Sequence, residues 1–133
     1  VKNVSDIVKF NNQDTITHAP YNQYIFNEIV NDKVSDNELE EMKKSTKMNA
    51  TKVLNELMTS YNFDVFVSVD NSMAGIAAAA HFPALSVPMG YRENGEPSNI
   101  TFITRSSNEQ LLYNLAYLFE KNFKRREAPE NYN

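Results

Sequence analysis

Cysteine is absent from the 133 residues, which excludes a disulfide scaffold, a thiolate metal site and a cysteine nucleophile together. No apolar run approaches the roughly 20 residues needed to span a bilayer. The N-terminus also lacks the basic segment and apolar core of a signal peptide. A cytoplasmic protein without membrane contact is therefore expected. Positive charge is not in excess: 13 Lys and Arg stand against 17 Asp and Glu, a net charge of -4. No broad field draws this chain to nucleic acid. There is no internal repeat and no low-complexity linker. What remains is an ordinary globular composition, 41% hydrophobic and 23% charged, in a chain long enough to hide roughly two-thirds of its unfolded surface. One domain over residues 1–133 is expected. The chain begins at Val1 rather than at methionine, as expected of tag removal, of processing, or of a piece cut from something longer.

Val4, Ile7, Val8 and Phe10 form a short apolar cluster, read as a brief helix or turn, before a polar loop from Asn11 to Thr17. The spacing of Tyr21, Tyr24, Ile25, Phe26 and Ile29 predicts a short amphipathic helix after Pro20. Ser35-Asp36-Asn37-Glu38 has the pattern of a capping box, in which serine and glutamate each satisfy an end-of-helix amide. The long helix it starts carries Leu39, Met42, Thr46, Ala50, Val53, Leu54, Leu57, Met58 and Tyr61 on one stripe, with Lys43, Lys44 and Lys47 mainly off it. Phe63 to Val69 is rich in valine and phenylalanine without strict alternation and predicts an internal strand covered on both faces. Asp70, Asn71 and Ser72 close it and can cap a small helix running to Ala80.

Ala84 to Tyr91 and Ser98 to Thr104 predict an antiparallel hairpin, with Asn94-Gly95 in its turn. A last helix is expected from Ser106 or Ser107, each with a glutamate or glutamine three positions on, burying Leu111, Leu112, Leu115, Leu118 and Phe119. Lys121, Lys124, Arg125 and Arg126 suit its C-terminal dipole. The order α-α-β-α-β-β-α gives an α/β fold with a small mixed sheet of about three strands packed by helices. Three strands are few for so apolar a first strand, so further sequence or self-association is expected to supply neighbours.

The run Ala77-Ala78-Ala79-Ala80-His81-Phe82-Pro83-Ala84-Leu85-Ser86-Val87-Pro88-Met89-Gly90-Tyr91 resembles a late segment of the amidase-signature family, where an alanine- and glycine-containing helix leads into a Pro-Ala-hydrophobic-Ser-Val-Pro-x-Gly strand. Glu93 to Pro97 resembles that family's hairpin turn, and Ser107 to Leu112 with Ala116, Phe119 and Glu120 its closing helix. More loosely, Val4 through Asn11 resembles an element of peptide-amidase-like members. The resemblance implies the C-terminal portion of a hydrolase that cleaves carbon-nitrogen bonds of linear amides through a Ser-Ser-Lys arrangement. Those groups lie in the family's earlier half, and their glycine- and serine-rich signature, which sets the nucleophile beside oxyanion-stabilising amides, is absent here. No residue takes a catalytic role by carry-over. Three glycines common in the family are His81, Asn99 and Thr104 in this chain, so local geometry or substrate access is expected to differ where a backbone normally approaches closely.

Asp70, Asn71 and Ser72 end a buried strand, where α/β proteins commonly place ligands, and are the candidates for substrate contact, against a plainer reading as a helix cap. His81 has no neighbouring acid or base in sequence, and packing or capping explains it better than proton transfer. His18 reads as a solvated loop residue, and two histidines without metal-ligand spacing make no zinc site. Ser86 lacks a Gly-x-Ser-x-Gly elbow and reads as a buried strand residue. The lysines of the long helix read as a solvated face rather than an anion site. Asn3-Val4-Ser5 and Asn99-Ile100-Thr101 fit a glycosylation pattern without a secretion route. No cofactor or metal is expected. The expected partners are the remainder of an amidase or a second copy of the chain, with a small-molecule amide bound in the complete enzyme. Two other functions compete: a stand-alone, non-catalytic interaction or assembly module built on an amidase scaffold, and an independent enzyme using Asp70 and His81.

Overall fold

A computed structural model describes residues 1–127. The elements in order are α1 (Val4–Asn11), α2 (Thr15–His18), α3 (Tyr24–Asn31), α4 (Asp36–Ser60), β1 (Phe66–Val69), α5 (Ala74–Ala80), β2 (Ala84–Tyr91), β3 (Pro97–Ile103) and α6 (Glu109–Asn122). Contacts group the chain into two compact units, Val1–Glu40 and Glu41 onward, with α4 running through the boundary.

In the first unit α1 packs on α3 and α2. Asn3 caps α1 by accepting the Asp6 amide, and Asp14 caps α2 by accepting the amides of Ile16 and Thr17. The capping serves a segment expected to be loop: with the Ile16 and Thr17 amides satisfied by Asp14, one helical turn forms where composition suggested none. Hydrogen bonds tie the unit together. Asn11 donates to Gln23 Oε1 at 3.1 Å, and Gln23 donates back to Asn12 Oδ1 at 2.6 Å. His18, expected in solvent, stacks on the Phe10 ring with centroids 4.1 Å apart, and its Nδ1 lies 3.1 Å from the Phe10 carbonyl.

The capping box at the start of α4 forms as expected. The Ser35 amide donates to Glu38 Oε2 at 2.9 Å and the Glu38 amide points back to Ser35 Oγ at 3.4 Å; the Ser35 hydroxyl, donating to Glu38 Oε2 at 2.6 Å, and after it the Ser35 amide hold the Glu38 carboxyl below its usual pKa. The 25-residue helix extends about 37 Å. Of its expected stripe, Ala50, Leu54 and Met58 are buried, whereas Leu39, Met42, Val53, Leu57 and Tyr61 remain exposed. The helix stops where Asn62 takes a left-handed backbone (φ 52°) and the Phe63 amide reaches the Met58 carbonyl, a turn that asparagine tolerates better than most residues.

The sheet order is β1-β3-β2 and every pairing is antiparallel. The three strands thus form, but the sheet is not mixed. β3, rather than the expected first strand, occupies the centre. β1 is shorter than its apolar run because its partner ends: Ile103 pairs with Phe66, and beyond it Thr104 turns its hydroxyl onto the Asp64 carbonyl instead of extending the ladder. Phe66, Thr101 and Ile103 share one sheet face, covered by Leu54 and Met58 of α4 and Ala77 and Ala80 of α5. Leu85, Val87, Ile100 and Phe102 share the other, covered by Leu112 and Ala116 of α6. Two-sided cover, expected of the first strand, is realised instead over the central strand β3.

α6 begins at Glu109 rather than at a serine cap. Ser107 adopts φ 65°, Asn108 precedes the helix without a side-chain cap, and Ser106 donates to the His81 carbonyl at 2.8 Å. The serine is drawn to a bare carbonyl at the end of α5, which its own helix cannot offer. Leu118, placed in the core by spacing, is 52% exposed, because the face against the sheet centres on Leu112 and Ala116. Lys121 sits in the last turn as expected, and Lys124, Arg125 and Arg126 follow the helix rather than belonging to it.

Candidate functional site

Val69 ends β1, and Asp70 turns the chain with φ 54°. A residue held in that region needs compensation, and Asp70 receives it from both its backbone and its side chain. Its amide donates to the Asn99 carbonyl at 2.8 Å, and its carbonyl accepts from Thr101 Oγ1. Oδ1 accepts the Asn99 amide at 2.8 Å and the Ser98 hydroxyl at 3.1 Å, while Oδ2 accepts from Arg92 Nη2. The Asn99 amide is the main cause that lowers the Asp70 pKa below its ordinary value. The Ser98 hydroxyl and the Arg92 guanidinium add to it, and partial desolvation opposes them.

The hairpin positions Arg92. Gly95 (φ 80°) permits the turn, the Arg92 amide donates to the Glu96 carbonyl, and Glu96 lies 4.0 Å from the guanidinium. The side chain can then bridge the hairpin to the β1 terminus. Asp70 is thus neither the helix cap that the plain reading offered nor a free acid. α5 has no side-chain cap, with Met73 in the capping position. Asn71 and Ser72 are exposed. The Asn71 carbonyl accepts the Ala74 amide, and Ser72 Oγ donates to the Val69 carbonyl at 2.9 Å. The turn is rigid at Asp70 and open at the next two residues.

Ser68, Thr101 and Ser86 lie in register across the three strands. Ser86 Oγ is bonded to Thr101 Oγ1, whereas the buried Ser68 hydroxyl has no partner. Ser86 is exposed rather than buried, since it lies on an outer strand. His81 ends α5 in a left-handed conformation (φ 56°), its amide donating to Ala78 and its carbonyl accepting from Ser106. This is the capping role expected of it, in a position glycine commonly fills. Thr104, fully buried, donates to the Asp64 carbonyl and accepts from Asn108, while Asn99 holds Asp70. Thr104 is thus held by its side chain, whereas Asn99 engages Asp70 through its backbone alone.

Sequence reasoning brought Asp70, Asn71 and Ser72 together correctly as one turn but missed Arg92, Ser98 and Thr101 around it. The available signal was polarity at Ser98 and Thr101 in a strand that otherwise reads as core. Among the described residues no group of three or more His, Cys, Asp or Glu could hold a metal ion, and no helix is long and apolar enough to cross a membrane.

This antiparallel sheet between helix layers is an amidase-like fold, equivalent to part of an amidase chain. An amidase family protein from Bacillus anthracis str. Ames superposes on 98% of the chain with a TM-score of 0.87 and 30% identity. The native peptide amidase from Stenotrophomonas maltophilia covers all of it at TM-score 0.82 and 20% identity, and the peptide amidase in complex with the competitive inhibitor chymostatin covers 98% at 0.82 and 19%. The chain spans only 26% of the first and 30% of each of the other two. No protein-family model and no curated protein matches it.

Proposed function

We propose that this chain is the C-terminal portion of an amidase acting on linear amides, and that it contributes scaffold and substrate-channel wall rather than the bond-breaking groups. The observation that carries this reading is the superposition of nearly the whole chain on about a quarter to a third of known amidases. The Pro83 to Gly90 run and the absence of a glycine- and serine-rich signature support the division of labour. Catalysis requires a nucleophile, its activator and oxyanion donors in one constellation, and these come from the remainder of the enzyme.

The wall is the turn after β1. With Asp70 anchored by Arg92, Ser98 and Asn99, the exposed Asn71 carboxamide and Ser72 hydroxyl are presented from a fixed backbone. The Asn71 carboxamide offers a donor and an acceptor, and Ser72 Oγ, whose hydrogen is held by the Val69 carbonyl, offers an acceptor; together they complement the C=O and N–H of an amide substrate. The test is ammonia release from a C-terminally amidated dipeptide. The purified chain is expected to release none, and the same chain joined to the catalytic portion is expected to turn the substrate over. Ammonia release by the chain alone that disappears in an Asp70→Ala variant would overturn the reading in favour of an independent enzyme.

A further inference from the structure

The turn between β2 and β3 holds a pair of residues that can react with each other. Of the three glycines in the chain, only Gly95 follows an asparagine. In such a pair the backbone nitrogen of the second residue can attack the side-chain carbonyl carbon of the first and close a five-membered imide. A side chain on the second residue obstructs that approach, and glycine has none. Here the pair is fully displayed: residues 91–97 are all exposed. Outside the residues adjoining Gly95, no described atom lies within 4 Å of the place where its Cβ would sit.

Two hydrogen bonds of the turn act on this reaction in opposite directions. Asn94 Oδ1 accepts the Glu96 amide at 3.1 Å. A donor at that oxygen draws electrons from Asn94 Cγ and stabilises the negative charge that develops there during attack. The Gly95 amide donates to the Arg92 carbonyl at 2.9 Å, and this bond must open before the nitrogen can give up its proton and react. The electrophile is prepared while the nucleophile is withheld.

How often the nucleophile is released depends on what holds Arg92. Its amide donates to the Glu96 carbonyl at 2.9 Å, and its guanidinium bonds to Asp70 at the end of β1. A clasp from another strand therefore steadies the carbonyl that restrains Gly95. Glu96, 4.0 Å from the guanidinium, already competes for it.

We propose that Asn94–Gly95 is a site of self-modification, restrained by the Arg92–Asp70 clasp and able, once reacted, to release it. The Gly95 nitrogen forms a bond to Asn94 Cγ, the Cγ–Nδ2 bond breaks, and ammonia leaves with the proton taken from the Gly95 amide. Water then opens the imide at either carbonyl, leaving aspartate or isoaspartate at position 94. The new carboxylate joins Glu93 and Glu96 beside one guanidinium and competes with Asp70 for it. The isoaspartyl form also adds a methylene to the backbone between Arg92 and Glu96, which displaces their amide-to-carbonyl bond. Both products loosen the support under the Asp70–Ser72 turn. The chemistry needs only the hairpin and water, not the remainder of an amidase.

The experiment incubates the folded 133-residue chain in mildly alkaline buffer and follows it by peptide mapping with fragment mass spectra. The gain in mass for NH2 replaced by OH is expected at residue 94 before residues 71 or 99, with isoaspartate among the products. Arg92→Gln, whose folding is checked by circular dichroism, should accelerate the change at least about threefold. Asn94→Asp, which carries one of the two products, should speed hydrogen exchange of the Asn99 amide, the one held by Asp70, at least about threefold. Conversion seen only when the chain is unfolded in urea would overturn the proposal, because the hairpin would then be a protected turn. An unchanged rate in Arg92→Gln would remove the clasp as its restraint, and unchanged Asn99 exchange in Asn94→Asp would remove the release of the turn.

Discussion

Residues 1–40 and the sheet-bearing residues that follow are held together by different physics. In the first region Asn11 alone is buried, and Ile16, Tyr21, Ile25 and Ile29 are exposed. Its helices are joined by the Asn11–Gln23–Asn12 bonds and the Phe10–His18 stack. In the second, Leu54, Met58, Ile103 and Leu112 are each almost fully inaccessible, and two separate clusters cover opposite faces of one sheet. Apolar burial yields roughly 25 cal/mol for each Å² removed from water, whereas a hydrogen bond contributes only about 0.5–1.5 kcal/mol net. The second region therefore carries the stability, and the first displays apolar side chains that its own fold does not use.

The largest expected effect is on Leu54→Ala, which removes a core side chain between α4 and the sheet and should cost about 2–5 kcal/mol in urea denaturation. Tyr21→Ser in the first region should stay within about 0.5 kcal/mol. Equal losses from the two would break the contrast drawn above. Next in size, Asn11→Ala orphans the Gln23 carbonyl oxygen and should cost about 1–3 kcal/mol. Hydrogen exchange should show the loosening in α1 to α3 and leave β1 to β3 protected. Spread of the effect into the sheet would show that the two regions unfold as one.

The smallest effect is expected at the partly exposed turn. Asp70→Asn should lower the melting temperature near neutral pH, because the carboxylate loses its charge-assisted bonds to Arg92, Ser98 and Asn99. The folded-state pKa of Asp70 lies below the ordinary unfolded value of about 3.9, so its contribution is present above that value. It is lost as pH falls through the folded pKa. Melting curves of the two proteins should therefore converge below about pH 3.9, and a gap that persists unchanged into strong acid would show that the ion-paired form of Asp70 stabilises nothing.

Much of the architecture could be read from local pattern. The β2–β3 hairpin, the small α5 helix and the capping box of α4 follow from spacing, from Asn94-Gly95 and from Ser35 with Glu38, all interactions within a few residues. The misreadings share one cause. Phe63–Val69 was expected inside the sheet because its composition suits two-sided burial, but composition does not state which strand is central, and Ile103 ends before residues 63–65 can pair. Leu39, Met42 and Leu118 fit a helical stripe yet stay exposed, since a period marks a face without saying how far its cover extends. The serines before α6 matched a capping pattern, but Ser106 found the His81 carbonyl, 25 residues away in sequence.

The candidate site divides in the same way. Sequence alone determined that Asp70, Asn71 and Ser72 form a turn after an apolar strand, that Pro83 to Gly90 is amidase-like, and that cysteine chemistry is excluded. These depend on residue identity and on neighbours close along the chain. Only the tertiary structure decided that Arg92, Ser98 and Asn99 converge on Asp70 and that β3 is the central strand. Those outcomes depend on register between strands. A one-residue change in register would exchange the two faces of every strand, and only the assembled core selects among the possibilities.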